Sequence, residues 1–473
     1  MTLATTTTEN HQALSTARPA HAKPPGPQRR WWGLPLLRDM KADYLGFTGG
    51  LQQAYGDISY MHVGNEHAYD LFTPELAREA LVDNADALIR WQRGIEIFEQ
   101  VFGQSVLVTE GATWQRQRRM LQPAFSPKRV AGYAALMRDA ALDALDQAVP
   151  AGQAQGLVAM DALWTKVAMD VIMRTLFTSR ASRDARDAAE ATQVLSEAAI
   201  REMFWPMTLP DWLPLPGKAK KRRALKALRG LVGRHIAARR AEAADMPRDD
   251  LLAHLLALRD ESTGAALSPD EVFDQCMVSF QAGHETSATA LLWWSRLMAE
   301  HPTIAQRARE EVDAVLGTRE PGAEDLPALP WLTATLKEAM RLYPPIAAVM
   351  TRRTTREITL GGWTIPSGAM LRITPWVLQR DARAFDEPTQ FRPERFLPDA
   401  PPPPRGAWMP FGSGPRVCIG QHFAMLEMTL VAALLLQRYT LALPPGVGPV
   451  EPVMNVTLRP RNGVQLVLQR RVP

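Results

Sequence analysis

Hydrophobic positions along this chain recur at helical spacing far more often than they alternate. The longest such run opens at Ser268, with Pro269 behind it and Glu271 three residues on, the pattern of a capping box. Phe273, Met277 and Phe280 begin its apolar face, and it continues to about residue 300, roughly eight or nine turns at 3.6 residues each. Apolar residues occupy most faces, which predicts a buried central helix. Gly283 sits in its middle, where glycine costs about 1 kcal/mol against alanine, so the position asks for a reason.

Shorter elements flank this run. A helix beginning near Asp43 leads into alternating stretches at 58–63 and 68–72, read as a hairpin, and Thr73 with Pro74 opens another helix. Residues 85–108 mix Ile89, Trp91, Ile97, Phe98, Phe102 and Val106 without a clean period and are expected to form a loop. Trp114 and Arg118, four apart, share one helix face. Amphipathic helices follow over 134–259, broken at the proline-rich stretch 206–216. The very basic helix expected over 218–240 is read as a solvated surface. Pro302 starts a helix that ends at Gly317. Leu329, Leu332, Leu336 and Met340 form a stripe that carries Glu338 and Arg341 and stops at Pro344 and Pro345. Residues 358–365 and 369–373 read as strands about a Gly361-Gly362 turn, 388–404 as an irregular meander, and the chain beyond Tyr439 as strands, with a turn at 454–457.

Residues 1–30 carry a threonine run and Pro24, Pro25 and Pro27, and are expected to be a disordered tail ahead of one domain over 31–473. No stretch there approaches bilayer length and none has the form of a secretory signal, so no transmembrane anchor and a cytoplasmic location are expected. Trp31, Trp32, Leu34, Leu36 and Leu37 are expected to pack onto the body, with contact to a membrane surface the alternative. A composition of 46% apolar and 22% charged residues is that of an ordinary globular protein, and a net charge of +4 over 473 residues gives no reason to invoke nucleic acid. Two distant cysteines point to a reducing compartment.

One of them, Cys418, lies in Phe-Gly-Ser-Gly-Pro-Arg-Val-Cys-Ile-Gly (411–420), just before an apolar helical run at Phe423, Leu426, Leu430 and Ala433. A thiolate there faces backbone N–H groups and the positive end of a helix dipole, both of which favour ionised sulfur. Two cysteines cannot build a cysteine zinc cluster. A nucleophilic cysteine needs a base, for which His422 is the neighbour in sequence. The other use of a single thiolate is a metal cofactor that brings most of its own ligands, as haem does.

Phe411, Gly414, Arg416, Cys418 and Gly420 match every fixed position of the haem-binding loop of the cytochrome P-450 superfamily, and the chain resembles that family from about residue 24 to its end. The resemblance implies a mainly α fold with small β-sheets, a single domain about a buried haem b (iron protoporphyrin IX). It makes Cys418 the iron ligand, with Phe411, Gly414, Arg416 and Gly420 around it. Trp114, Arg118 and Arg352 are placed on the haem propionates, with Arg353 the alternative by one position. Residues 282–286, Ala-Gly-His-Glu-Thr, resemble the segment where the family's central helix opens against oxygen; Glu285 is then the proton source and Thr286 the hydroxyl that orders oxygen and its water. Glu338 and Arg341 match the family's Glu-x-x-Arg, and Pro393-Glu394-Arg395-Phe396 supplies the Arg395 that completes a structural triad. Phe98, Phe280, Ala282, Ile346, Ala347, Val349 and Met454 fall where the substrate pocket is lined.

The implied activity is insertion of one atom of O2 into an apolar substrate, a fatty acid, terpenoid or similar lipophile, by a monomer. Electrons come from a separate ferredoxin or flavodoxin and its reductase; Arg116, Arg119, Lys128 and Arg129 are candidates for docking that acidic partner. Two other readings stand beside it: a haem-thiolate enzyme that uses peroxide or rearranges its substrate, and a haem protein that binds ligands without turnover.

Overall fold

The computed structural model describes residues 23–180, 183–205, 210–242, 248–348 and 350–471. The fold is mainly helical with small sheets, built about the central helix Pro269–Glu300, whose Ser268 capping box forms as the sequence predicts. Trp164 on the helix Met160–Phe177 crosses against it, donating through Nε1 to Ser295 Oγ at 3.2 Å. Trp294 Nε1 on the central helix donates to Thr335 Oγ1 on the helix Pro330–Leu342 at 2.9 Å. The C-terminal helix Gln421–Arg438 completes this core with fully buried Leu430, Leu434, Leu435 and Leu436. Burial on nearly all faces explains why the central helix and the C-terminal helix carry apolar residues all round.

Gly283 has a packing reason. A Cβ there would stand 2.9 Å from Ile172 Cδ1 of the crossing helix, so glycine permits the close approach. The central helix is assigned continuously through residues 282–286.

Five strands form the main sheet in the order Ile58–Val63, Glu66–Leu71, Met370–Ile373, Met350–Thr354, Leu88–Arg90. Only the pairing of Glu66–Leu71 with Met370–Ile373 is parallel. The Gly361-Gly362 turn joins Ile358–Leu360 to Trp363–Ile365, both glycines with positive φ, at 53° and 76°.

Three expectations are corrected. Residues 85–108 are not one loop: Leu88–Arg90 is a strand and Gln92–Phe102 a helix, whose Ile95, Phe98 and Phe102 form an i, i+3, i+7 stripe masked in sequence by Trp91 and Ile97. Of the proposed tail, residues 1–22 lie outside the described residues, but 23–30 are docked, with Tyr60 N–H donating to Pro25 O at 3.0 Å. Trp31, Trp32 and Leu34 do not pack onto the body; they are exposed, while Leu36 and Leu37 on the helix Leu34–Ala42 carry the packing. The proline-rich break at 206–216 falls in part on residues 206–209, outside the described residues.

Candidate functional site

Cys418 is exposed as a residue although protein surrounds its thiol. The loop before it is shaped by two left-handed glycines, Gly412 at φ 78° and Gly414 at φ 71°. Gly414 also presses on the Leu81 carbonyl so closely that no side chain could share the space. Cys418 N–H then donates to Phe411 O at 2.8 Å, closing the loop under the sulfur. Burial pushes the thiol pKa up, while the Gly420 N–H and the Arg118 guanidinium pull it down. Gly420 caps the C-terminal helix with an ordinary φ of −87°. A Cβ there would meet only Cys418 Sγ, at 3.9 Å. The chain's own packing therefore does not demand this glycine; a group seated on the sulfur would.

The central helix presents Ala282, exposed in mid-helix, and Thr286 one turn on. The Thr286 hydroxyl donates to Ala282 O at 2.7 Å. Glu285, about 100° round the helix, is turned away. Its carboxylate accepts from Ser196 Oγ at 2.9 Å, Thr457 Oγ1 at 2.8 Å and Arg459 Nη2 at 3.1 Å. It borders a cavity of about 240 Å³ that Glu190, Gln193 and Arg459 also line. The helical acid thus sits in an ion pair, and the alcohol is bonded back to its own helix.

Beside Cys418 lies a guanidinium cluster. Arg118 projects from the helix Gly111–Leu121 toward Cys418 and makes no hydrogen bond or ion pair among the described residues. Arg416 stacks on the Trp114 ring at 3.9 Å, donates to Thr109 O at 2.9 Å and pairs with Glu110. Strand alternation separates Arg352 from Arg353: Arg353 is committed to Glu66 at 2.8 Å, while Arg352 reaches only the adjacent Thr351 carbonyl. Arg90 stands opposite Arg352 in register, with Glu110 3.8 Å from its Nε. Sequence reading missed Arg90 and Glu110, because only sheet pairing brings a strand from residue 88 beside one from residue 350.

Burial and mutual repulsion push Arg90 down to about 9, and burial pushes Arg416 down to about 10, with Arg118 and Arg352 lowered in the same direction. A guanidinium does not release its proton in a protein, so the strain calls for an anion instead. Four arginines against the single carboxylate of Glu110 leave the region short of negative charge, and a ligand bearing two carboxylates fits that deficit. With one thiol beside that cluster, the donor set suits haem.

Phe98, Ile346 and Met454 are half-buried, Phe98 beside Phe102 and Met454 against Leu45, Trp293 and Leu458. Phe280 and Ala347, expected at the pocket, are buried. Phe280 lies two positions from Ala282, about 200° round the helix, and is wholly buried in the core; Ala347 is tucked against Leu45, Trp293 and Leu458. Val349 lies outside the described residues. Glu338 and Arg341 are both fully buried and paired at 2.6 Å, and Arg395 Nε stands 3.4 Å from Glu338. Three of the four proposed docking cations are paired inside the chain: Arg116 with Glu271, Arg119 with Asp260 at 3.3 Å and Arg129 with Asp249 at 3.3 Å.

A mainly helical fold with one cysteine thiol facing a buried arginine cluster defines the haem-thiolate class. The cytochrome P450 family model matches residues 24–467. The chain is 34% identical over 440 residues to a cyclooctat-9-en-7-ol 5-monooxygenase of Streptomyces melanosporofaciens, covering 90% of this chain and 93% of that one. It is 33% identical over 427 residues to a pentalenene oxygenase of Streptomyces avermitilis, covering 89% and 92%. It is also 30% identical over 442 residues to the protein LUTEIN DEFICIENT 5 of Arabidopsis thaliana, covering 88% and 72%. The chain belongs to the cytochrome P450 family; it is a monooxygenase whose cofactor is haem b.

Proposed function

We propose that this P450 oxygenates an apolar terpenoid in a hollow between Cys418 and the central helix, using electrons from a separate ferredoxin or flavodoxin. The observation that carries the reading is the Cys418 thiol with Arg118 beside it and Arg90, Arg352 and Arg416 clustered around the same charge. Haem bound there supplies the activation of O2 and the transfer of one oxygen atom to the substrate.

Cys418 would hold the iron through Sγ, with the Gly420 N–H and Arg118 favouring negative charge on that sulfur against the burial that opposes it. The four arginines would hold the two propionates, with Trp114 fixing the plane of Arg416 by stacking. Ala282 leaves room on the opposite side, and Thr286 turns its hydroxyl from the Ala282 carbonyl toward oxygen and water. Glu285 carries protons on its carboxylate from the cavity it borders, moving between Arg459 and Thr286. Glu338, Arg341 and Arg395 take no part in chemistry; they tie the helix Pro330–Leu342 to the meander below the site.

Substrate selection rests on Phe98, Ile346 and Met454, which offer apolar surface. The terpenoid assignment is in line with the names of the two bacterial relatives. The test is a screen of terpenoid hydrocarbons for the low-to-high-spin shift, followed by turnover with a reduced ferredoxin system. A product bearing one added oxygen is expected. Turnover with peroxide and none with reduced ferredoxin overturns the proposal in favour of the peroxide-using reading.

A further inference from the structure

Glu110 stands at the start of the helix Gly111–Leu121, where a side-chain acceptor ordinarily serves the free N–H groups of the first turn. It makes no such cap; only its backbone carbonyl serves the helix, accepting from Trp114 N–H at 3.3 Å. The carboxylate turns to the arginines instead. Oε1 accepts from the Arg90 backbone N–H at 3.2 Å and lies 3.8 Å from Arg90 Nε, while Oε2 pairs with Arg416. One side chain thereby joins the strand Leu88–Arg90, the helix Gly111–Leu121 and the loop that carries Cys418.

Among the described residues no other carboxylate pairs with Arg90, Arg118, Arg352 or Arg416, and the charge of Glu110 also reaches Arg352. The side chains of Glu110 and Arg416 are 27% and 14% exposed, so the pair is screened less than one on open surface. A partly shielded negative charge among cations that hold a cofactor acts on that cofactor as well as on them.

We propose that Glu110 is a third carboxylate at the haem, sharing Arg90 and Arg416 with the two propionates and holding the reduction potential of the iron low. This rests on the placement of the propionates at the four arginines. With Glu110 the guanidinium charges are nearly balanced; without it their excess over the propionates doubles. Reduction places an electron on the haem, so an excess of positive charge beside it favours the reduced state and a carboxylate opposes it. Glu110 touches no reacting atom; it acts through the arginines and through its charge.

The experiment is a spectroelectrochemical titration of the holoenzyme beside Glu110→Gln and Glu110→Asp, each checked for the thiolate band of the reduced carbon monoxide complex. Glu110→Gln keeps an acceptor of the same length and loses the charge; Glu110→Asp keeps the charge and shortens the reach. A potential more positive in Glu110→Gln and close to the parent's in Glu110→Asp is expected. The reverse order, as a purely structural tie predicts, overturns the proposal, and so does a Glu110→Gln potential equal to the parent's. Haem transfer to apomyoglobin from Glu110→Gln is expected to be no faster than from the parent, because the propionates keep all four arginines; faster loss shows that Glu110 supplies geometry and overturns the proposal. Arg352→Ala separates the role of Glu110 from the placement beneath it. Faster haem loss from Arg352→Ala, with an unshifted Glu110→Gln potential, removes the role of Glu110 alone. Unchanged haem loss from Arg352→Ala removes the propionate placement, and the proposal with it.

Discussion

Arg90 and Arg352 face each other across two short strands, and like charges in register repel unless an anion lies between them. If the propionates are that anion, Arg90→Ala weakens haem retention. Haem transfer to apomyoglobin is then expected to speed up about tenfold. Arg353→Ala, which removes a partner of Glu66 on the other face, should leave the rate unchanged. Glu427 is a second informative residue: it is buried, accepts one bond from Ser287 Oγ at 2.7 Å, and burial raises its pKa to about 8 from 4.5. A carboxyl raised in this way favours the native state most below pH 4.5, and that contribution is lost as pH rises through about 8. The melting temperature of the parent should therefore fall across this window relative to Glu427→Gln, which cannot ionise. Equal slopes for the two proteins would show that Glu427 is not held neutral.

Helices with strong caps or a clean stripe were readable directly. Ser268 and Glu271 announced the central helix, and Leu329 to Met340 announced the helix bearing Glu338, because both signals are local. The helix Gln92–Phe102 was hidden because its apolar stripe runs together with neighbours that pack elsewhere. Gly283 was visible as an anomaly, but its cause, Ile172 on another helix, is a tertiary fact. Gly283→Val should destabilise the fold by about 1–3 kcal/mol through overpacking, measured by urea unfolding. Adding Ile172→Ala should recover part of the loss. If Gly283→Val is neutral, the close crossing is not what selects glycine.

At the scale of the whole molecule, residues far apart in sequence gather at one place: Arg90, Arg118, Arg352 and Arg416 with Cys418. Cys418 and Arg416 were legible because they share one short loop; Arg118 and Arg352 came from resemblance; Arg90, Arg459 and Ser196 came only from the structure, since no local pattern marks them. The same holds for support. Glu338 is the buried counter-charge of Arg341, whose guanidinium also donates to the carbonyls of Gln379, Pro388 and Gln390. Glu338→Ala leaves that charge unpaired and should cost about 3–5 kcal/mol, read as lost soluble, haem-loaded protein. Glu394→Ala, on the exposed side of the same meander, should be tolerated.

The measurement that bears most directly on the account is the absorption spectrum of the reduced protein under carbon monoxide. Thiolate ligation by Cys418 predicts the strongly red-shifted Soret band in the parent and its loss in Cys418→Ala. A parent without that band, or a Cys418→Ala variant that keeps it, would contradict the central claim.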